Sequence, residues 1–315
     1  MARIILIEGF PGAGKSTTAQ FLARLVARRG GRARWIYEGE VPNPLVPPVP
    51  AGDYQSWEQF ADIRAARWRA FAAAASDHDV TIVPESALLQ LPVFTMLRRN
   101  VETSVITGLV ERLVEAVAPL RPTLVYLARR DPDAALRALG ESRGLSWLLH
   151  HAGSSDGYAF TQARGLSGFD GLFSYWRAHA ALCDRIVEAI DVPKLVLDVT
   201  PDGWAERRRQ ICDFVDVPFA DEPAPDAAEL ERIAGRYRDG RREVTVEVVG
   251  GRAVMRTVFS AASALLPVRR DIFDIESWPV RASFETDSTG RVHGFHCAGP
   301  RLAWGAPPGV FERVA

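Results

Sequence analysis

Residues 4–7 (Ile4-Ile5-Leu6-Ile7) form a continuous apolar run that enters a loop containing Gly9, Gly12 and Gly14. Beyond that loop Ala19, Phe21, Leu22, Leu25 and Val26 recur at helical spacing. A short unbroken apolar run predicts a strand buried on both faces. The glycines permit backbone angles closed to other residues and leave no side chain in the way of a ligand. A helix starting near Gly14 points its unpaired N–H groups into the loop, where they favour an anion. Lys15, one of two lysines in the chain with Lys194, stands at the end of this loop. Gly9-x-x-x-x-Gly14-Lys15-Ser16 is the P-loop pattern, flanked by the strand and helix that the pattern requires. In it backbone amides hold phosphates, the lysine reaches the outer ones and the serine hydroxyl faces Mg²⁺.

Further apolar runs at 33–37, 79–83, 122–127 and 194–198 alternate with amphipathic stretches at 16–29, 57–75, 105–118, 132–140, 172–190 and 204–215. This alternation predicts an α/β unit over 1–219, a parallel five-stranded sheet with helices on both faces. Residues 220–228 (ADEPAPDAA) read as a linker. Over 229–315 the period changes to that of strands. Residues 243–249 and 253–258 flank Gly250-Gly251, and 281–286 and 291–297 flank Asp287-Ser288-Thr289-Gly290, which predicts two hairpins of a separate antiparallel β domain.

Ligands of a parallel sheet bind beyond the carboxyl ends of its strands. After the second strand stand Glu38 and Glu40, followed by the proline-dense VPNPLVPPVP. Either acid suits a general base for an acceptor hydroxyl, Glu38 lying nearer the strand end. After the third strand comes Pro84-Glu85-Ser86, where an acid holds Mg²⁺ through water or orients an acceptor. After the fourth, Asp131-Pro132 opens a helix with a cap and an N1 proline, and Arg129, Arg130, Arg137 and Arg143 surround it. Arg143 and Arg137 are the arginines placed to neutralise charge during phosphoryl transfer. Residues 150–171, rich in glycine and weakly patterned, read as a lid or acceptor-binding loop.

A net charge of −1 argues against a nucleic-acid or membrane field, and the partner expected is a small-molecule acceptor. No apolar run reaches the ~20 residues of a membrane span, and the N-terminus enters a strand without a signal peptide, so a cytoplasmic protein is expected. Cys183, Cys212 and Cys297 show no disulfide framework. His150-His151 and His293-x-x-His296-Cys297 lack further metal ligands and read as structural. The oligomeric state is left open.

The first 218 or so residues resemble the thymidylate kinase and deoxynucleoside kinase branch of P-loop proteins and its bacterial neighbours. The resemblance is carried by IILIEGFPGAGKSTTAQFL, by Glu38 to Pro42, by VPESALLQLPVF, by YLARRDPDAALRALGESRG and by KLVLDVTPDGW, where a loop over the base of ATP is expected. It departs from the branch at Glu85-Ser86, where an acid–arginine pair is usual. The resemblance implies a kinase using ATP and Mg²⁺. ATP phosphates would lie on Gly9, Pro11, Gly12, Ala13, Gly14, Lys15, Ser16 and Thr17, and Mg²⁺ on Ser16 and Glu85. A regulatory ATPase that drives a partner is the alternative. Residues 233–295 resemble the small β domain appended to penicillin-binding-type serine hydrolases, which implies a barrel-like module without the hydrolase's catalytic residues.

Overall fold

The computed structural model describes residues 1–49, 53–199, 203–240, 242–257, 260–303 and 309–314. The chain divides into two compact units, one of residues 1–38 and 43–219 and one of 39–42 and 220–315.

The first unit is the expected α/β fold. Strands β1 (Arg3–Gly9), β2 (Ala33–Ile36), β3 (Thr81–Pro84), β4 (Thr123–Ala128) and β5 (Lys194–Asp198) form one parallel sheet in the order β2-β3-β1-β4-β5. Ile4, Ile5, Leu6 and Ile7 are all essentially inaccessible to solvent. Since successive side chains point to opposite faces, β1 is covered on both. Its register sets Ile4 beside Ile82 of β3 and Gly9 beside Leu127 of β4, so β1 is central and its loop opens between two strand ends.

Helix α1 (Lys15–Arg28) follows the loop, and α2 (Trp57–Ser76) is capped by Ser56, whose side chain accepts from the Gln59 N–H. Helix α2 also serves the proline-dense segment. Prolines supply carbonyls but no donors; the Trp68 indole donates to the Leu45 carbonyl at 2.8 Å and Arg64 to that of Pro47 at 2.6 Å. Buried Asn43 closes the base of the segment, donating to the Tyr37 carbonyl and accepting from the amides of Leu45 and Val46.

Helices α3 (Gln90–Leu97), α4 (Thr103–Ala116) and α5 (Pro132–Arg143) come next, α5 capped by Asp131 as its sequence predicts. The stretch 150–171, expected as a loop, is largely helical: α6 (Leu145–Ser155), the single-turn α7 (Ala159–Gln162) and the start of α8 (Gly168–Ala189). Its small polar residues satisfy one another internally. Buried Ser155 donates to the Ala152 carbonyl and buried Thr161 to that of Ser155, so polarity here marks a tight helical junction. Helix α9 (Trp204–Phe214) follows β5; residues 200–202 of the expected base-covering loop lie outside the described residues.

The second unit opens with α10 (Ala227–Ile233), which begins inside the stretch read as a linker. It continues as a closed antiparallel barrel of eight strands: β6 (Gly235–Arg238), β7 (Glu243–Val249), β8 (Arg252–Thr257), β9 (Ser260–Arg269), β10 (Ile272–Ile275), β11 (Arg281–Thr286), β12 (Val292–Ala298) and β13 (Val310–Val314). Both expected hairpins are present, β7–β8 and β11–β12, although residue 258 lies outside the described residues. Closure pairs β9 with β10 and β13 with β6, which leaves the barrel without the open edge of a half-sheet. Tyr237, Phe273, Phe284, Phe295 and Phe311 fill it, and Leu230 and Ile233 of α10 join that core. Residues 39–42 belong to this unit because they pair with 301–303: the Val41 N–H donates to the Arg301 carbonyl at 2.7 Å and that of Ala303 to Gly39 at 2.8 Å.

All five parallel strands precede residue 219, and the barrel core draws only on residues from 230 onward. A chain ending near residue 222 is therefore expected to remain soluble and to unfold in one cooperative thermal transition. Residues 39–42, deprived of 301–303, should become a new site of limited proteolysis. An insoluble product would show that the first unit cannot fold without the second.

Candidate functional site

The site begins with the loop after β1. Gly9 has φ +147 and Gly14 φ +88, both closed to ordinary side chains. Space is as restrictive as angle: a Cβ on Gly9 would overlap the Leu127 carbonyl of β4, and one on Gly14 the Trp204 indole of α9. The Phe10 N–H donates to the Leu127 carbonyl at 3.3 Å and the Ala13 N–H to that of Phe10 at 3.1 Å, which curls the loop over the start of α1. There the first-turn amides have no intrahelical partner. Leu139 of α5 lies against Gly12, and Arg129 donates to the carbonyls of Gly12 and Val199.

Lys15 is buried, its ammonium donating to the Phe10 carbonyl at 3.0 Å. Burial lowers its pKa, opposed by the charges of Glu38, Glu85 and Glu8, while Arg143 lowers it further. Three acidic side chains thus act on one ammonium.

Strand pairing places Glu85. The β1–β3 ladder continues one residue past β3, where Ile7 bridges Glu85; the Glu85 N–H donates to the Ile36 carbonyl and that of Ser86 to Ile7. The backbone then turns at Ser86, φ +59. So held, Glu85 Oε2 accepts from the Ser16 hydroxyl at 2.7 Å, while its buried Oε1 has no hydrogen-bond partner. Burial pushes this carboxyl up to about 8, the Glu38 charge adding to the shift and Ser16 and Lys15 opposing it. A hydroxyl and a carboxylate oxygen with an unused lone pair are the hard donors Mg²⁺ takes, and a divalent cation offsets the excess of negative charge. The residues fit the ion.

Glu38, two residues past β2, accepts from the Gln90 side-chain amide at 3.1 Å. Glu40 instead lies in the segment paired with Leu302. Arg143 stacks over the Trp147 ring at 5.2 Å, and its charge acts on Lys15 and Tyr37. Arg137 is turned toward α8, over the Phe173 ring at 5.5 Å. Lys15, Ser16, Glu38 and Glu85 therefore converge, Arg143 acts on them through its charge, and Arg137 faces elsewhere. Beside them Trp176 packs edge-on to Phe10 at 5.6 Å and stacks on Phe94 at 5.8 Å.

Sequence reasoning passed over Glu8, Gln90 and Trp204. Glu8 alone had a visible signal, an acid closing an apolar strand. Gln90 and Trp204 are ordinary helix-start residues whose roles come from what they touch.

No protein-family model and no curated protein matches the chain. Among solved structures it is similar to a sugar kinase from Janibacter sp. (16% identity, 69% of this chain and 96% of that one, TM-score 0.36). It is also similar to thymidylate kinase from Candida albicans (13%, 68% and 91%, TM-score 0.40). A third is the YorR protein of Bacillus subtilis, in complex with phosphorylated GDP (14%, 68% and 95%, TM-score 0.32). At these scores the likenesses carry no argument about activity, which rests on the geometry above.

Glu85 links that geometry to pH. Its folded-state pKa lies above the ordinary carboxylate value, so between the two the native state holds a proton that the unfolded state has released. Its contribution is full below the ordinary range and is lost as pH rises toward about 8. Glu85→Gln is therefore expected to gain thermal stability on wild type progressively across that window in chelator-containing buffer, the difference levelling off above it. A pH-independent difference would show that the carboxyl is not perturbed.

Proposed function

We propose that the protein is an ATP-dependent phosphotransferase acting on a small-molecule hydroxyl or phosphate. The observation that carries this is the meeting of Lys15, Ser16, Glu85 and Glu38 at the carboxyl ends of three adjacent strands. An acid able to accept a proton thereby stands beside a phosphate-binding loop.

In this reading the N–H groups at the end of the loop and in the first turn of α1, with the Lys15 ammonium, hold the β- and γ-phosphates of ATP. Ser16 and Glu85 would hold Mg²⁺, which when bound supplies positive charge to the phosphates. Glu38 accepts the proton of the acceptor hydroxyl as its oxygen bonds to the γ-phosphorus and the bond to the β–γ bridging oxygen breaks, releasing ADP. A phosphate acceptor is already ionised and needs no base. Arg143 adds positive charge as negative charge moves to the leaving oxygen. Leu139, packed on Gly12, helps keep water from the loop. The aromatic side formed by Phe10, Phe94 and Trp176 suits an acceptor with an apolar or flat portion.

The direct test is a screen of nucleosides, nucleotides, sugars and other alcohols with labelled ATP. With the acceptor found, Lys15→Ala is expected to lower turnover by ~10³-fold or more, because a charge-assisted contact strengthened in the transition state is lost. Near-wild-type turnover in that variant would overturn the assignment of the loop. Glu38→Gln should lower turnover about 10²-fold or more while ATP binding, followed by titration calorimetry, is retained. Unchanged turnover on a hydroxyl acceptor would remove Glu38 from the mechanism.

A further inference from the structure

Glu8 lies in β1, fully buried, and the chemistry above does not use it. Its Oε1 accepts from the Leu88 N–H at 2.6 Å and its Oε2 from the Gln90 N–H at 3.1 Å. Those amides belong to the turn that opens α3, a helix whose own N-cap residue, Leu89, offers no side-chain acceptor. First-turn amides of a buried helix need an acceptor from somewhere, and a carboxylate there also meets the positive end of the helix dipole. Glu8 thus caps α3 from a different strand. Burial pushes its carboxyl up to about 7, with the two amides and Lys15 working against that shift.

Gln90, the first residue of α3, is held at two points. Its N–H reaches Glu8 and its side-chain amide donates to Glu38. Burial lowers the pKa of nearby His179 in α8 to about 4. Gln90 Oε1 has no hydrogen-bond partner, so the amide's orientation is set by its bond to Glu38.

We propose that Glu8 is a positioning residue: it fixes the 86–90 turn, and through Gln90 it sets where the Glu38 carboxylate stands. The link to Glu38 as a base rests on the phosphotransferase reading; the mechanical chain of Glu8, Gln90 and Glu38 does not. A rigid strand beside the phosphate-binding loop thereby aims an acid carried on an irregular segment, as a preorganised site requires.

Two near-isosteric variants separate the links. In Glu8→Gln one of the two amides must face the new NH₂ group and lose its acceptor. Hydrogen–deuterium exchange without nucleotide is expected to quicken about tenfold in a peptide spanning 86–91, with one spanning β4 unchanged. In Gln90→Met the capped amides are intact, so exchange in 86–91 should match wild type, whereas a crystal structure should show Glu38 leaving its rotamer or spreading over several. ATP affinity should stay within about twofold, and with an acceptor in hand kcat should fall while the KM for ATP holds. Unchanged exchange at 86–91 in Glu8→Gln, or an undisturbed Glu38 in Gln90→Met, would overturn the proposal. If no variant, wild type included, binds ATP, the phosphotransferase reading fails while exchange and crystallography still decide the chain of contacts.

Discussion

One buried ammonium organises the first unit. Lys15 lies out of solvent on the Phe10 carbonyl with Glu8, Glu38 and Glu85 acting on it. Burying a lone ammonium is costly, and burying carboxylates against one another is costly too; together they offset part of that cost. The balance is incomplete, and burial raises Glu85 and Glu8 toward protonation. A centre built this way carries more acidic side chains than the one lysine offsets.

The neighbouring elements hold that centre still by ordinary backbone chemistry. Glu85 is in place because the β1–β3 ladder runs one residue past the strand and the chain turns at Ser86. Glu38 leaves β2 on a segment that has few donors of its own, and Asn43, Arg64 and Trp68 satisfy its carbonyls. Gly9 and Gly14 are required by both angle and space, since β4 and Trp204 occupy the volume a side chain would take. Of the converging residues, Glu38 and Glu85 sit on irregular backbone just past strand ends, while Lys15 and Ser16 open α1.

The barrel solves a different problem. Eight short strands closed on themselves bury an aromatic core without an exposed sheet edge, and α10 covers part of it with Leu230 and Ile233. Residues 39–42, leaving the first unit immediately after Glu38, pair with 301–303 of this one, so a stretch of chain far from the barrel in sequence completes its hydrogen bonding.

Some of this was legible in the residues alone, because local rules decide it. An apolar run, a glycine loop and a helical period within some twenty residues specify the strand–loop–helix around Lys15. The ends of the second and third strands direct attention to Glu38 and Glu85, because parallel sheets bind at their carboxyl ends. Hairpins announced themselves by alternation and turn residues. What tertiary structure decided is which distant groups meet. Arg143 and Arg137 share one short helix and look equivalent in sequence; packing turns Arg137 over Phe173 while the charge of Arg143 acts on the lysine. The small polar residues of 150–171 looked like a loop and fold largely as helices, with the buried Ser155 and Thr161 hydroxyls donating to nearby carbonyls. Glu8 showed only as an acid out of place in an apolar strand. Its partners lie eighty or more residues away on a turn with no acceptor of its own, and sequence spacing carries no information about contacts that form only when the sheet assembles.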